Sequence, residues 1–101
     1  MLRHVNLLTW NAEIDEAAIA SLSQYLSDYA DAIPEIRDLS FGPDLGLAER
    51  NMHFAIVVDF DDEEAFSRYL AHPAHARLVS EFLRPILQAR QAVQFNFSPA
   101  D

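Results

Sequence analysis

The sequence predicts an α+β fold in which strands and helices follow the order β-α-β-β-α-β. Apolar residues alternate with a period of two along Arg3–Trp10 and along Met52–Phe60, which is typical of strands. After each of these strands, apolar residues recur at three- and four-residue spacing, which indicates a helix with one buried face. The second helical stretch is interrupted at His72-Pro73, so we expect that helix to be split there.

The first half of the chain is predicted to contain two strands around one helix. Arg3–Trp10 forms the first strand, and Asp15 can cap the helix that follows. This helix is expected to stop near Ala32, because Pro34 disfavours helical geometry at the residue before it. Ile36–Phe41 is the predicted second strand, and the only two glycines of the chain lie in the loop after it.

The second half is predicted to repeat the pattern in the order strand, helix, strand. Met52–Phe60 is the third strand, and Asp61 is expected to cap the helix that follows it. Pro73 suits the first turn of the second helical piece, whereas Pro85 should bend that piece or end it. Ala92–Phe97 is the predicted last strand.

The order of elements is that of ferredoxin-like domains, in which both helices cover one face of a four-stranded antiparallel sheet. The third strand is nevertheless apolar on both sides, with Phe54, Ile56 and Val58 on one and Ala55 and Val57 on the other. A second apolar face left in water marks an interface. The sequence therefore predicts a homodimer formed through the sheet face opposite the helices.

Length and composition limit the classes of protein further. The 101 residues suit a single domain over positions 1–101, and half of them are apolar. Sixteen acidic residues face seven basic ones, and the net charge of −9 disfavours nucleic acid and anionic membranes as partners. The absence of Cys excludes disulfides and thiolate chemistry. With no signal-peptide pattern and no long apolar run, we expect a cytoplasmic protein.

Four segments carry a resemblance to a known family: His4–Leu8, Ile33–Ile36, Val57–Phe60 and Tyr69–His75. Their order and spacing resemble those of the stress-responsive A/B barrel (Dabb) family, over essentially the whole chain. The Tyr-x-x-His-Pro-x-His pattern of the last segment is the most specific part. The resemblance implies a dimeric α+β barrel, in agreement with the argument from the two apolar sheet faces.

One branch of this family consists of plant polyketide cyclases, which close a linear tetraketide by an intramolecular aldol condensation. The resemblance implies that His75 is a general base, that Tyr69 orients it by a hydrogen bond, and that His4 is a polar group of the pocket. A further pocket histidine of the cyclases falls on Phe54 here, and an aromatic pocket position falls on Leu26. These differences concern the substrate and leave the three matching residues in place.

The residues themselves also indicate a pocket. His4 and Asn6 share the strand face that parity places under the helices, where polar side chains need partners. The neutral imidazole of His75 can accept a proton near neutral pH, as a base acting on an acidic C–H group requires. The residues expected to contact a substrate are Asn6, Leu8, Leu26, Phe54, Ile56 and His72. No cofactor motif and no metal site is predicted, because His72 and His75 lack a third ligand.

Three functions stay open at the level of the sequence. The first is binding of a small, mostly apolar, carbonyl-bearing molecule, with proton-transfer catalysis of the aldol, cyclase or lyase type. The second is a non-catalytic, stress-associated dimer in which His72, Tyr69 and His75 only stabilise the fold. The third, cofactor-free oxygenation of a phenol, rests on fold analogy. An open pocket of roughly 300 Å³ or more at His4, Asn6, Tyr69 and His75 would favour the first.

Overall fold

One antiparallel sheet of four strands carries the helices of the protein on one of its faces. The computed structural model describes residues 1–11 and 14–99. Its elements in chain order are β1 (Leu2–Trp10), α1 (Glu16–Ala32), β2 (Asp38–Pro43), β3 (Phe54–Phe60), α2 (Glu63–Leu70), α3 (Pro73–Arg77), a π-helical segment (Leu78–Leu83) and β4 (Leu87–Asn96). The strands are ordered β2-β3-β1-β4. The predicted ferredoxin-like fold and the split of the second helix at Pro73 are confirmed.

All four strands begin at a different residue than predicted. β2 begins at Asp38 instead of Ile36, because the Ile36 N–H closes a turn on the Ile33 carbonyl at 3.2 Å. β4 begins at Leu87 instead of Ala92, because its first half pairs with the end of β1 through the backbone. β1 starts one residue earlier than predicted and β3 two residues later, at Phe54.

Strand register decides which side chains share a face. His4, Asn6 and Leu8 of β1 lie opposite Val58, Ile56 and Phe54 of β3, and this face packs under the helices. Val5 and Leu7 lie opposite Val57 and Ala55 on the other face, where all four are half-buried. Val93 and Phe95 of β4 extend this second face and are 54% and 45% exposed. The second face, which we call the open face, is therefore apolar and has no helix over it.

The core lies between the sheet and α1. Leu22, Leu26 and Tyr29 form the buried stripe of α1, and Ile33 continues it beyond the end of the helix. Each such side chain stabilises the fold by about 1.5–3 kcal/mol through removal of apolar surface from water. Asp15 caps α1 as predicted, since its carboxylate accepts a hydrogen bond from the Ala18 N–H at 2.8 Å. No helix within residues 1–11 and 14–99 is long and apolar enough to cross a membrane.

The cap of α2 is Asp62, one residue later than predicted. The Asp62 carboxylate accepts from the Ala65 N–H at 2.8 Å, whereas Asp61 forms a two-bond ion pair with Arg37 at 2.9 and 2.7 Å. We expect Asp62→Ala to lower the free energy of unfolding by about 1 kcal/mol, as loss of an N-cap does. Asp61→Ala, which removes an exposed ion pair, should cost much less than this. Urea unfolding measures both, and a larger cost for Asp61→Ala would contradict the assignment of the cap.

Candidate functional site

An open cavity of about 720 Å³ lies on the helix side of β1 and β4, next to α2, α3 and the π-helical segment. Its apolar lining consists of Ile56, Phe66, Leu70, Leu78, Val79, Leu83 and Leu87. Its polar lining consists of His4, Asn6, Tyr69, His75, Arg84, Arg90 and Gln94. An apolar wall with a few converging polar groups is typical of sites for small molecules.

His4 is fixed between two amide side chains. The His4 side chain is on β1, is 2% exposed and lies with its ring centroid 5.0 Å from that of Phe66. Its Nε2 atom is 2.8 Å from Asn6 Nδ2, and its Nδ1 atom is 2.8 Å from Gln94 Nε2. Gln94 reaches the ring because it stands directly opposite His4 in the β1–β4 register.

Arg90 determines which nitrogen of His4 carries the proton. The Arg90 Nε–H donates to Asn6 Oδ1 at 2.7 Å, and a guanidinium can only donate. Asn6 therefore turns its NH₂ group toward His4, so that Nε2 of His4 is the acceptor. The neutral ring then carries its proton on Nδ1. The Gln94 atom 2.8 Å from this N–H must accept, so we infer that the Gln94 amide is turned to place its oxygen there instead of Nε2.

The electrostatic surroundings keep His4 neutral. The pKa of His4 is lowered from 6.5 to about 4, mainly by burial and in addition by the positive charges of Arg90 and His75. With its lone pair on Nε2 already bonded to Asn6, His4 is not free to accept a proton from a ligand. We infer that His4 organises the polar end of the cavity and leaves base chemistry to His75.

The position of His75 follows from how α3 begins. His72 caps α3 through its Nδ1 atom, which accepts from the Ala74 N–H at 3.0 Å, and Pro73 occupies the first turn. The Tyr25 hydroxyl on α1 donates to the Ala74 carbonyl at 2.7 Å, so that α3 is tied to α1 beside His75. These contacts place the ring centroid of His75 4.8 Å from the ring centroid of Tyr69, across the break between the helices.

His75 combines partial burial with an available lone pair. Burial lowers the pKa of His75, a hydrogen bond with the Leu70 backbone raises it, and the charge of Arg90 lowers it; the net direction is downward. A bond that raises the pKa of an imidazole is one in which the ring donates, so Leu70 contributes its carbonyl. The other ring nitrogen of neutral His75 then carries a lone pair, as a general base needs.

Tyr69 is bonded to Tyr29 and not, as the resemblance implied, to His75. The Tyr29 hydroxyl donates to the Tyr69 oxygen at 3.1 Å, and both side chains are buried. Because Tyr69 is the acceptor in this bond, its own hydroxyl proton remains for another acceptor. Burial raises the pKa of Tyr69, and the bond from Tyr29 and the charge of Arg90 partly offset that effect. Tyr69 is therefore a protonated donor at the cavity wall.

The cavity contains some of the predicted site residues and leaves out others. Those that line it are His4, Asn6, Ile56, Tyr69 and His75. Leu8 of β1 and Leu26 of α1 are fully buried in the core and do not line the cavity. Phe54 packs against Trp10 and borders a separate cavity of about 570 Å³ near the β2–β3 loop. His72 is occupied by capping α3 and lies outside the cavity lining.

Sequence reasoning missed the contribution of β4. Arg90 and Gln94 line the cavity, and so does Arg84, which follows the π-helical segment. Because side chains alternate between the two faces of a strand, the predicted strand Ala92–Phe97 could have indicated that Gln94 shares a face with His4. Arg90 lies outside that predicted strand. Within residues 1–11 and 14–99 no group of three or more His, Cys, Asp or Glu side chains is placed to hold a metal ion.

Fold, split helix and cavity together define a small α+β barrel protein of the ferredoxin-like class. The sequence model of the stress responsive A/B barrel domain matches residues 2–97, and the chain belongs to this family. No curated protein matches the sequence.

Solved structures show the same fold. A dimeric ferredoxin-like protein of unknown function from Thermobifida fusca is 38% identical, with a TM-score of 0.89 over 95% of this chain and 90% of that one. A protein from Arabidopsis thaliana is 19% identical, with a TM-score of 0.84 over 100% of this chain and 99% of that one. The hydroxynitrile lyase from Passiflora edulis is 15% identical, with a TM-score of 0.84 over 99% and 95%. At such low identities, the last two show a common fold alone.

Proposed function

We propose that this protein binds a small, mostly apolar, carbonyl-bearing molecule in the 720 Å³ cavity and transfers a proton to or from it. The observation that carries the proposal is that His4, Asn6, Tyr69 and His75 line one open cavity of ample size. The hydroxynitrile lyase from Passiflora edulis has the same fold, and the lyase type is one of the reaction types considered for this protein.

The proposed chemistry uses two neighbouring side chains, His75 and Tyr69, that both face the ligand carbonyl. Neutral His75 takes a proton from the carbon next to the carbonyl. The C–H electron pair forms a carbon–carbon double bond, and the π pair of the carbonyl moves onto its oxygen to give an enolate. Tyr69 donates its hydroxyl proton as a hydrogen bond to that oxygen, because its own oxygen is already served by Tyr29. Return of the proton, or attack of the enolate on a second carbonyl, completes an isomerisation or an aldol step.

Hydrogen–deuterium exchange tests this proposal without knowledge of the natural substrate. Butyrophenone in heavy water should exchange the protons next to its carbonyl faster with the protein than with an equal concentration of imidazole. His75→Gln, in which the amide can still donate to the Leu70 carbonyl, should lower the rate at least ~100-fold, as loss of a general base does. NMR follows the exchange, and thermal unfolding checks that the variant keeps its stability.

His53→Gln is the matched control for this experiment. His53 is exposed and outside the cavity lining, and its Nδ1 atom accepts from the Trp10 N–H at 2.9 Å. The control should therefore keep the exchange rate of the native protein. If the native protein exchanges no faster than imidazole, the non-catalytic function is favoured. If His75→Gln retains the rate, His75 is not the base.

We also propose that two copies of the chain associate through the open face. The support is that Val5, Val57, Val93 and Phe95 lie on a sheet face without a helix over it, where they would otherwise meet water. The polar pair on this face, Arg3 and Asp59, is already satisfied by two hydrogen bonds of 2.8 and 2.9 Å. The relative from Thermobifida fusca is described as dimeric, which agrees with this arrangement.

A further inference from the structure

Two arginines at the cavity have no acidic partner. The guanidinium groups of four others are each in an ion pair with a carboxylate: Arg3, Arg37, Arg68 and Arg77. Among the residues that the structure describes, Arg84 and Arg90 have no carboxylate within 4.0 Å, and both are exposed and line the cavity. The seventh arginine, Arg50, also has no ion pair in this part of the chain and borders the separate cavity near the β2–β3 loop. In a chain with a net charge of −9, two of the three unpaired arginines therefore lie where a ligand would enter.

Within residues 1–11 and 14–99, no acidic side chain lines the cavity to neutralise these charges. The charge of Arg90 reaches the other polar groups of the site, because it lowers the pKa values of His4, Tyr69 and His75. An anion bound beside Arg90 would therefore replace the carboxylate that the protein does not supply.

Arg90 is held in place for such a contact. It stands opposite Leu8 in the β1–β4 register, and its Nε–H donates to Asn6 Oδ1 at 2.7 Å. The two terminal nitrogens of its guanidinium have no hydrogen-bond partner among residues 1–11 and 14–99 and can donate together to the two oxygens of a carboxylate. Because the guanidinium is already oriented by Asn6, little conformational freedom is lost when an anion binds.

We propose that the ligand of this cavity is an apolar oxo acid, whose carboxylate binds Arg90 and Arg84 and whose carbonyl lies near His75 and Tyr69. The inference rests on the proposed function, since it concerns the same cavity. A carboxylate fits better than a phosphate because most of the wall is apolar and offers no backbone N–H cluster. The first N–H of α3 that could serve a phosphate, that of Ala74, is bonded to His72.

Benzoylpropionate and its methyl ester form a matched pair of probes, because both carry an aryl ketone and only the acid carries a negative charge. In amide NMR titrations, both should perturb Leu78 and Val79 in the cavity wall, and the acid should bind at least ~10-fold more tightly. Added salt should weaken the binding of the acid and leave the binding of the ester unchanged. The ester is the more apolar of the two, so the apolar wall alone would give the opposite order.

Three substitutions distinguish the effect of the two cavity charges on binding from the effect of the net charge of the protein. Arg84→Gln and Arg90→Gln should each lower the affinity for the acid roughly tenfold and leave the ester unaffected. Arg50→Gln is the control: it removes the same charge from an arginine that lies outside this cavity. The Arg84 side chain forms no hydrogen bond with the part of the chain that the structure describes, so its variant reports on charge even if Arg90→Gln disturbs Asn6 and His4.

The possible outcomes distinguish this inference from the proposed function. Equal binding of acid and ester would overturn the requirement for a carboxylate and leave the apolar cavity as a binding site. Failure of both probes to perturb the wall would overturn both proposals. If inorganic phosphate shifts the NMR signals of Arg84 and Arg90 as strongly as the acid does, the choice of a carboxylate over a phosphate is overturned.

Discussion

Val57→Asp is expected to convert the proposed homodimer into a monomer. Val57 lies in the middle of the open face, opposite Val5 on β1 and Ser40 on β2. In a two-fold symmetric dimer the substitution places a carboxylate in each copy of the buried face, and an unpaired buried charge costs several kcal/mol. Sedimentation velocity at micromolar concentration should change from twice the chain mass of 11.4 kDa to that mass itself.

Two further variants make this experiment decisive. Ala20→Asp adds the same charge to the exposed surface of α1 and should remain dimeric. Val93→Asp tests the β4 end of the open face and should weaken association even if Val57→Asp fails to fold. Circular dichroism shows whether each variant is folded. A native protein that sediments as a monomer, or a folded Val57→Asp that stays dimeric, would show that the open face is not the interface.

The faces of the central strands could be predicted from the sequence, whereas the start of β4 could not. Along β3 every second side chain is buried beneath helices, so that the period of two is visible in the residue types. The first half of β4, Leu87–Gln91, is held mainly by backbone bonds to β1 and is largely exposed on both sides. A strand that buries neither face leaves no apolar alternation, and for this reason Arg90 was missed.

The alternation of side chains along a strand predicts only part of the candidate site. It places Leu8, Asn6 and His4 on the same side of β1, and the structure agrees. It does not reveal that Leu8 is fully buried while Asn6 borders an open cavity, because that depends on where the helices cross the sheet. Tyr69 and His75 come together only because the chain bends at His72-Pro73, and it was the family resemblance that pointed to this pair.

Acidification is expected to destabilise the native protein more than the variant His4→Gln. Burial lowers the pKa of His4 to about 4 in the folded protein, against 6.5 in the unfolded chain. Between these values the unfolded chain binds more protons, so the free energy of unfolding falls as the pH falls. The contribution of neutral His4 is complete above about pH 6.5 and lost below about pH 4, and it amounts to at most about 3 kcal/mol.

Urea unfolding at several pH values and at one fixed protein concentration measures this effect, because a dimer is also stabilised by mass action. His75, whose pKa is lowered too, contributes in the same direction in both proteins, so the difference between them isolates His4. Asp61, whose pKa is lowered by Arg37, loses its ion pair at lower pH and is likewise common to both.

The acid response also tests the hydrogen-bond chain from Arg90 through Asn6 to His4. Protonation of Nε2 would set an N–H against the NH₂ group of Asn6, which Arg90 prevents from turning. If native protein and His4→Gln lose the same stability between about pH 6.5 and pH 4.5, His4 accepts its proton in the folded state at no extra cost. Asn6 would then be free to turn its oxygen toward the ring, which means that Arg90 does not fix the orientation of its amide. His4 could then accept a proton as well, and His75 would not be the only base at the cavity.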